Sequence, residues 1–200
     1  MQIILKPGAV LVLVGVVIAL SVGAFWRLGG QTAKVPDTAA ATASVENLPN
    51  AQSIVEPTMS GLSDAMKKAA TSDAYEPVEK PGGNTQATCF TIIKPGKVSW
   101  EVSTGAAATR PVKQGSELCF SVWARSATQN EVELVLERNG EPFDRYLSES
   151  VTLTPEWKEY GYLCTVTNDF PERAGVAARV HMASTAGVVE LAGLKVVPAL

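Results

Sequence analysis

The chain has 200 residues, a formal net charge of −3, three cysteines and one histidine. A weakly acidic chain without a cluster of basic residues is not expected to bind nucleic acid. Three cysteines form at most one disulfide, for which Cys119 and Cys164 are the candidate pair. The alternative is three unpaired thiols buried as small hydrophobic residues.

A stretch of nineteen uncharged residues, 8–26, opens the chain. At about 1.5 Å per residue, a helix of this length crosses the roughly 30 Å hydrocarbon core of a bilayer. Aromatic and basic residues suit the membrane interface, and the stretch ends with Phe25 and Trp26 and is followed by Arg27. The pattern predicts a transmembrane anchor over residues 1–28. The alternative is a cleaved signal peptide.

Small residues lie on one side of the predicted membrane helix: Gly8, Gly15, Ala19 and Gly23. Small residues allow helices to pack closely in lipid, so this pattern predicts a groove for a helix of an integral-membrane partner. The alternative is the general abundance of glycine and alanine in membrane helices. We expect the N-terminus in the cytoplasm and the rest of the chain on the periplasmic or extracellular side of the inner membrane.

Residues 29–87 are rich in Ala, Thr, Ser and Pro and predict a tether that is disordered on its own. A short helix is expected near residues 60–70. An ordered tether would require apolar side chains that contact a partner surface, because ordering each residue costs roughly 1–2 kcal/mol. The candidate anchors are Ile54, Val55, Leu62, Met66, Tyr75 and Val78.

From residue 88 to residue 200, apolar and polar residues alternate in several short runs. One run places Leu118, Phe120 and Val122 on one face, and turn residues such as Asn139-Gly140 separate the runs. No long amphipathic helix interrupts the pattern. The sequence therefore predicts an all-β antiparallel sandwich of about eight strands.

Four blocks carry a resemblance to a known family. They are PVKQGSELCFSVWARS (111–126), VELVLERNG (132–140), LTPEWKEYGYLC (153–164) and VHMASTAGVVELAGLKV (180–196). Together they resemble a jelly-roll carbohydrate-binding module of the galactose-binding-like type, family 4 or 9. The resemblance covers about residues 88–198 and implies a jelly-roll sandwich.

The resemblance implies sugar binding through exposed aromatic platforms, for which Trp100, Phe143 and Tyr146 are the candidates. Trp123 and Trp157 lie in the blocks that define the fold and are expected to be structural. The closing strand of the family often carries Asp-Asp that helps to hold calcium. This chain has Ala192-Gly193 there, with Glu190 as the nearby acid, so we expect no bound metal and no cofactor.

Catalytic motifs such as HExxH, CxxC, G-x-S-x-G and the P-loop do not occur in the sequence. His181 is the only histidine and is expected to be a surface or satisfied core residue. The acids of the run around residue 135 are expected on a solvated strand face: Glu131, Glu133, Glu137 and Glu141. The chain is therefore not expected to be an enzyme.

Three functions fit these observations. The preferred one is an accessory subunit of a larger membrane complex, such as a bacterial photosynthetic or respiratory assembly, in which the sandwich contacts partner subunits. The alternative is a membrane-tethered carbohydrate-binding module for envelope or cell-wall glycan. A surface-displayed adhesion domain is the third. Binding of glycan through exposed aromatic residues distinguishes the second from the first.

Overall fold

The computed structural model describes residues 52–199, which form an antiparallel β-sandwich of nine strands. The strands are β1 (Ala70–Tyr75), β2 (Ala87–Ile92), β3 (Ser103–Ala107), β4 (Glu117–Arg125), β5 (Glu131–Arg138), β6 (Arg145–Thr152), β7 (Lys158–Thr165), β8 (Val176–His181) and β9 (Gly187–Pro198). One sheet has the order β1-β2-β9-β4-β7, and the other has the order β3-β8-β5-β6. The predicted all-β antiparallel sandwich is confirmed, with nine strands in place of about eight.

The core lies between the two sheets and is built from the alternating apolar residues. Phe120 and Val122 of β4 face Leu134 and Leu136 of β5 across this core, and all four are fully buried. Because successive strand residues point to opposite faces, the intervening residues lie on the outer faces of the sheets. That alternation decides which side chains are available to a ligand.

The sandwich begins upstream of residue 88. β1 pairs with β2 along its whole length, from Ala70 opposite Ile92 to Tyr75 opposite Ala87, and forms an edge of the five-stranded sheet. Its sequence, ATSDAY, is small and polar because an edge strand buries little of its surface. The tether predicted over residues 29–87 therefore ends earlier than expected.

Residues 53–61, here called the N-terminal strap, connect the two sheets. The backbone N–H of Ile54 donates to the carbonyl of Val196 in β9 at 2.7 Å. On the other side, the Ser60 N–H donates to the carbonyl of Gly105 in β3 at 2.7 Å, and Val55 forms a β-bridge with Ala108. The strap thus covers the gap between a five-stranded and a four-stranded sheet.

The anchors predicted for the tether contact the protein's own sandwich. Ile54 and Val55 are each 3% exposed, Leu62 is also buried, and Met66 packs against the core. Tyr75 lies in β1, whereas Val78 is 94% exposed and anchors nothing within the described residues. Ile54, Val55 and Leu62 thus belong to the hydrophobic core of the sandwich, although the sequence around them is polar.

Helical structure among residues 52–199 consists of three short 3-10 turns, Met66–Lys68, Pro81–Gly83 and Ser99–Glu101. The first lies where the sequence predicts a helix, but it has a single turn. Within the described range, no helix is long and apolar enough to cross a membrane. The predicted span and its residues lie outside that range: Gly8, Gly15, Ala19, Gly23, Phe25, Trp26 and Arg27.

The three cysteines are free thiols. Cys119 lies opposite Leu163, and Cys164 lies opposite Leu118, so the two cysteines are one step apart in register on adjacent strands. Cross-strand neighbours share a face and successive residues do not, so the two side chains point to opposite faces of the sheet. The candidate pair is therefore wrong, and the alternative of unpaired thiols agrees with the structure.

Removing the strap and β1 should abolish folding, because the gap between the sheets would open and the β2 edge would lose its partner. We expect a fragment of residues 52–200 to unfold cooperatively on heating. A fragment of residues 88–200 should show no cooperative transition. Circular dichroism during thermal unfolding measures both, and equal transitions in the two fragments would contradict the role given to residues 52–87.

Candidate functional site

The outer face of the four-stranded sheet carries polar and charged side chains in register. Ser103 of β3 lies opposite His181 of β8, which lies opposite Glu133 of β5. Further along the same face, Glu137 of β5 lies opposite Arg145 of β6. Residues paired across strands project from the same face, so residues distant in sequence meet here.

A cleft of about 530 Å³ lies over this face. It is lined by Met66, Trp100, Ser103, Glu137, Phe143, Arg145, Arg179 and His181. Trp100 is 52% exposed and Phe143 is 50% exposed, which is unusual for side chains of this size. The cleft therefore has exposed aromatic walls and a polar floor, and we refer to it below as the aromatic cleft.

Trp100 lies in the 3-10 turn Ser99–Glu101, directly before β3. The turn is fixed to the sheet on both sides: the Ser99 hydroxyl donates to Glu133 Oε2 at 2.7 Å, and the Ser99 carbonyl accepts from the Ala183 N–H at 3.0 Å. The Arg145 guanidinium lies 5.9 Å from the centre of the Trp100 ring. Trp100 is thus held over the cleft by its neighbours.

Phe143 lies in the loop that joins β5 to β6. The Asn139-Gly140 turn predicted from the sequence opens a six-residue loop, 139–144, in place of a two-residue hairpin. Phe143 has a φ of 55°, in the left-handed region that non-glycine residues seldom adopt, and its N–H donates to the Gly140 carbonyl at 2.8 Å. The loop thus holds the Phe143 backbone in a costly conformation, and the Phe143 ring lines the cleft.

Glu133 does not line the cleft itself but lies at the centre of a polar network with Arg145 and His181, which do. Its Oε1 accepts from Arg145 Nη1 at 2.5 Å and from the Ser148 hydroxyl at 2.6 Å. Burial by itself raises the pKa of Glu133, but hydrogen bonds from Ser148, Ser99 and His181 and the charge of Arg145 lower it to about 2. The carboxylate is therefore charged at neutral pH and fully engaged.

Glu137 forms the second network with Arg179. Arg179 Nε lies 3.0 Å from Glu137 Oε1, and Arg179 Nη2 donates to Asn139 Oδ1 at 2.7 Å. The other Glu137 oxygen lies 4.0 Å from Arg145 Nε, and the Glu137 side chain is only 8% exposed. This carboxylate pairs directly with Arg179 and lies near Arg145, which is held by Glu133.

His181 lies beside these pairs with its side chain 3% exposed, and its Nδ1 lies 3.1 Å from Glu133 Oε2. Burial lowers the pKa of His181, whereas the hydrogen bond and charge of Glu133 raise it, and the net direction is down. The ring is therefore neutral at neutral pH. A carboxylate only accepts hydrogen bonds, so Nδ1 carries the hydrogen and Nε2 is left as the acceptor of the ring.

The aromatic cleft presents aromatic rings and hydrogen-bonding groups to a ligand. Glu137 is paired with Arg179, and His181 Nδ1 is paired with Glu133, which leaves His181 Nε2 as an acceptor. No group of three or more His, Cys, Asp or Glu residues that could hold a metal ion occurs within residues 52–199. The available interactions are aromatic contact and hydrogen bonding.

Glu190, the acid near the position of the calcium site in the resembled family, is already engaged. Its Oε2 lies 2.6 Å from Arg125 Nε, and it also accepts a hydrogen bond from the Tyr75 hydroxyl. Arg125 further lies over the Trp157 ring at 4.8 Å, and a Cβ on Gly82 would collide with the Trp123 ring. The two tryptophans expected to be structural are thus packed on the outer face of the five-stranded sheet.

Two of the three candidate platform residues meet in the aromatic cleft. Trp100 and Phe143 form its walls, whereas Tyr146 does not line it. The Tyr146 ring packs edge-on against Phe170 at 5.9 Å between ring centres, and its hydroxyl accepts from Asn168 Nδ2 at 3.1 Å. Tyr146 therefore does not line this cleft, and its role as a sugar platform stays a prediction.

The charged floor is the part that sequence reasoning missed. Glu133 and Glu137 are expected on a solvated face, yet both are largely shielded from solvent and form ion pairs with partly exposed arginines from other strands. The period-two pattern correctly places them on the outer face. A single sequence does not show that β6 and β8 bring Arg145 and Arg179 beside them.

Another cleft, of about 480 Å³, lies between the strap and the inner faces of β1 and β2. Hydroxyl and amide side chains line it, including Ser72, Thr88 and Asn84. Its aromatic residue, Phe90, is 1% exposed and belongs to the core. It lacks the accessible rings of the aromatic cleft, which is the stronger candidate for a binding site.

No protein-family model matches the chain. No curated protein matches it either. Among solved structures, the chain is similar to BiXyn10A CBM1 in its apo form, with 13% identity, coverage of 71% of this chain and 90% of that chain, and a TM-score of 0.50. This likeness shows a shared β-sandwich fold.

Two further solved structures are similar to the chain. One is described as "CBM4 structure and function", with 20% identity, coverage of 56% of this chain and 71% of that chain, and a TM-score of 0.49. The other is the N-terminal cellulose-binding domain of Cellulomonas fimi β-1,4-glucanase C. It has 17% identity, coverage of 64% of this chain and 89% of that chain, and a TM-score of 0.47.

Replacement of Glu133 by glutamine should change how stability depends on pH. The lowered pKa means that the charged form stabilises the folded state above pH 4.5, and that this stabilisation is lost as the pH falls towards 2. A shift of this size corresponds to about 3 kcal/mol of unfolding free energy at pH 7. Urea unfolding of both proteins between pH 2.5 and 7 measures the difference.

The difference between wild type and Glu133→Gln should be largest at neutral pH and should shrink below pH 4. Glu131→Gln is the matched control, since Glu131 lies on the same strand and is exposed. A difference that stays constant from pH 2.5 to pH 7 would show that the ion-pair network does not stabilise the fold.

Proposed function

We propose that this chain is a non-catalytic carbohydrate-binding domain that binds a glycan chain in the aromatic cleft. The observation that carries the proposal is the pair of half-exposed rings, Trp100 and Phe143, which line one cleft together with hydrogen-bonding side chains. This is the alternative function from the sequence, and the cleft favours it over the accessory subunit.

The chemistry of a sugar ring fits such a cleft. A pyranose presents C–H groups on its faces and hydroxyl groups around its edge. Exposed aromatic rings pack against the apolar faces, while a few fixed polar groups select the orientation of the hydroxyls. Arg145, Arg179 and His181 supply donors and an acceptor whose positions are already set by their carboxylate partners.

The fold agrees with this proposal. BiXyn10A CBM1, with which the chain shares its sandwich, carries in its name the abbreviation for a carbohydrate-binding module. Because one fold serves many functions, the likeness supports the proposal less strongly than the cleft does.

Replacement of Trp100 by alanine should remove glycan binding. An exposed aromatic wall that contacts a ligand is the type of residue that dominates binding energy, so we expect affinity to fall at least about tenfold. Phe143→Ala should have a similar effect. Affinity electrophoresis of the full chain in soluble polysaccharides, followed by titration calorimetry with the best oligosaccharide, measures the loss.

Leu163→Ala is the control, because Leu163 is 44% exposed and lies in β7 of the other sheet. Its binding should equal that of the wild type, and all variants should keep the wild-type thermal transition. Glycan binding that survives both Trp100→Ala and Phe143→Ala would place the site elsewhere.

We further propose that residues 8–26 anchor this domain in the cytoplasmic membrane, with the N-terminus inside and the sandwich on the outer side. The support is the length and apolar composition of the stretch and the interfacial residues Phe25, Trp26 and Arg27. On this view the sandwich is held close to envelope or cell-wall glycan. Contact with integral-membrane subunits stays a prediction.

Expression of the full chain should place it in the membrane fraction, from which carbonate does not extract it but detergent does. Deletion of residues 1–28 should release the chain into the soluble fraction, since the remaining sequence has no comparable apolar stretch. Protease added to intact spheroplasts should digest the sandwich. Recovery of the full chain as a smaller soluble protein would instead identify the stretch as a cleaved signal peptide.

A further inference from the structure

The charges at the aromatic cleft are compensated by ion pairs. The guanidinium groups of Arg145 and Arg179 line the cleft together with Glu137, whereas Glu133 does not line it but pairs with Arg145. Each arginine has a carboxylate within 3.0 Å, and Arg145 Nε also lies 4.0 Å from Glu137. The cleft thus presents hydrogen-bond donors whose positive charges are each paired with a carboxylate.

We infer that the aromatic cleft selects uncharged glycans and rejects acidic ones, and that Glu137 is the residue that sets this preference. The inference rests on the proposed function and specifies its ligand class. Glu137 acts mainly through Arg179, with which it pairs at 3.0 Å, and it also lies 4.0 Å from Arg145, which pairs with Glu133. Glu137 is a positioning residue, chiefly for Arg179.

The physical reason lies in the burial of Glu137. A glycan carboxylate entering the cleft would approach arginines whose charge is already compensated, and it would also meet the Glu137 carboxylate, which is 8% exposed and weakly screened by solvent. A like charge placed against a competing ligand is an effective source of specificity. Neutral hydroxyl groups meet no such repulsion and use the remaining N–H groups as donors.

Removal of the Glu137 charge should weaken or abolish the preference for uncharged glycans. In Glu137→Gln the floor would hold two guanidinium groups against one carboxylate, which leaves one net positive charge beneath the aromatic walls. The variant should therefore gain affinity for acidic glycans by about tenfold or more, and this gain should weaken as salt increases. A purely structural role of Glu137 would lower binding of all ligands together.

The test compares neutral and acidic oligosaccharides of equal length on the full chain. The neutral probes are cello-, xylo- and manno-hexaose, and the acidic probes are hexamers of galacturonate and mannuronate. Titration calorimetry at 50 and 500 mM NaCl measures wild type, Glu137→Gln and the matched control Glu131→Gln. We expect the wild type and the control to bind a neutral probe at least tenfold more tightly than any acidic probe, with little effect of salt.

The outcomes separate the two proposals. Tight binding of an acidic probe by the wild type, at or above its affinity for neutral probes, would overturn the charge preference and leave the proposed function intact. Failure of the full chain to bind any glycan would refute the proposed function and the charge preference with it. If Glu137→Gln does not fold, the comparison of neutral and acidic probes on the wild type decides alone.

Discussion

Two carboxylates on the outer face of the four-stranded sheet determine where the arginines of the aromatic cleft are held. Glu133 and Glu137 are 16% and 8% exposed, and a carboxylate removed from water to this extent requires opposite charge and hydrogen-bond donors close by. Arg145 and Arg179 meet that requirement from neighbouring strands. The arginines are thereby held still, so a ligand would meet a floor whose donors are already in place, which lowers the entropic cost of binding.

The sequence predicts the fold and the walls of the cleft better than it predicts the floor. Period-two alternation is a local signal, and it places Glu133 and Glu137 on the outer face correctly. Their partners come from elsewhere: Arg145 lies 12 residues beyond Glu133, and Arg179 lies 42 residues beyond Glu137. The order of the strands in the sheet determines these contacts, and alternation within a strand carries no information about that order.

Residues 52–87 show a different limit of sequence reasoning, because their composition predicts a disordered tether whereas the structure places β1 and the strap in the sandwich. β1 and the strap are polar and rich in small residues, which is also the composition of a disordered linker. They are ordered because the sandwich offers backbone partners in β2, β3 and β9. Composition describes what a segment can bury by itself, whereas an edge segment gains its order from a sheet that already exists.

The strap also decides how the domain responds to mechanical load. If the domain holds a glycan while its N-terminal side is fixed to a membrane, tension enters the sandwich at the strap. The first bonds to carry it join Ile54 to Val196 of β9 and to Thr109, and so involve both sides of the sandwich. The force is thus shared between the two sheets instead of peeling one edge strand away from its neighbour.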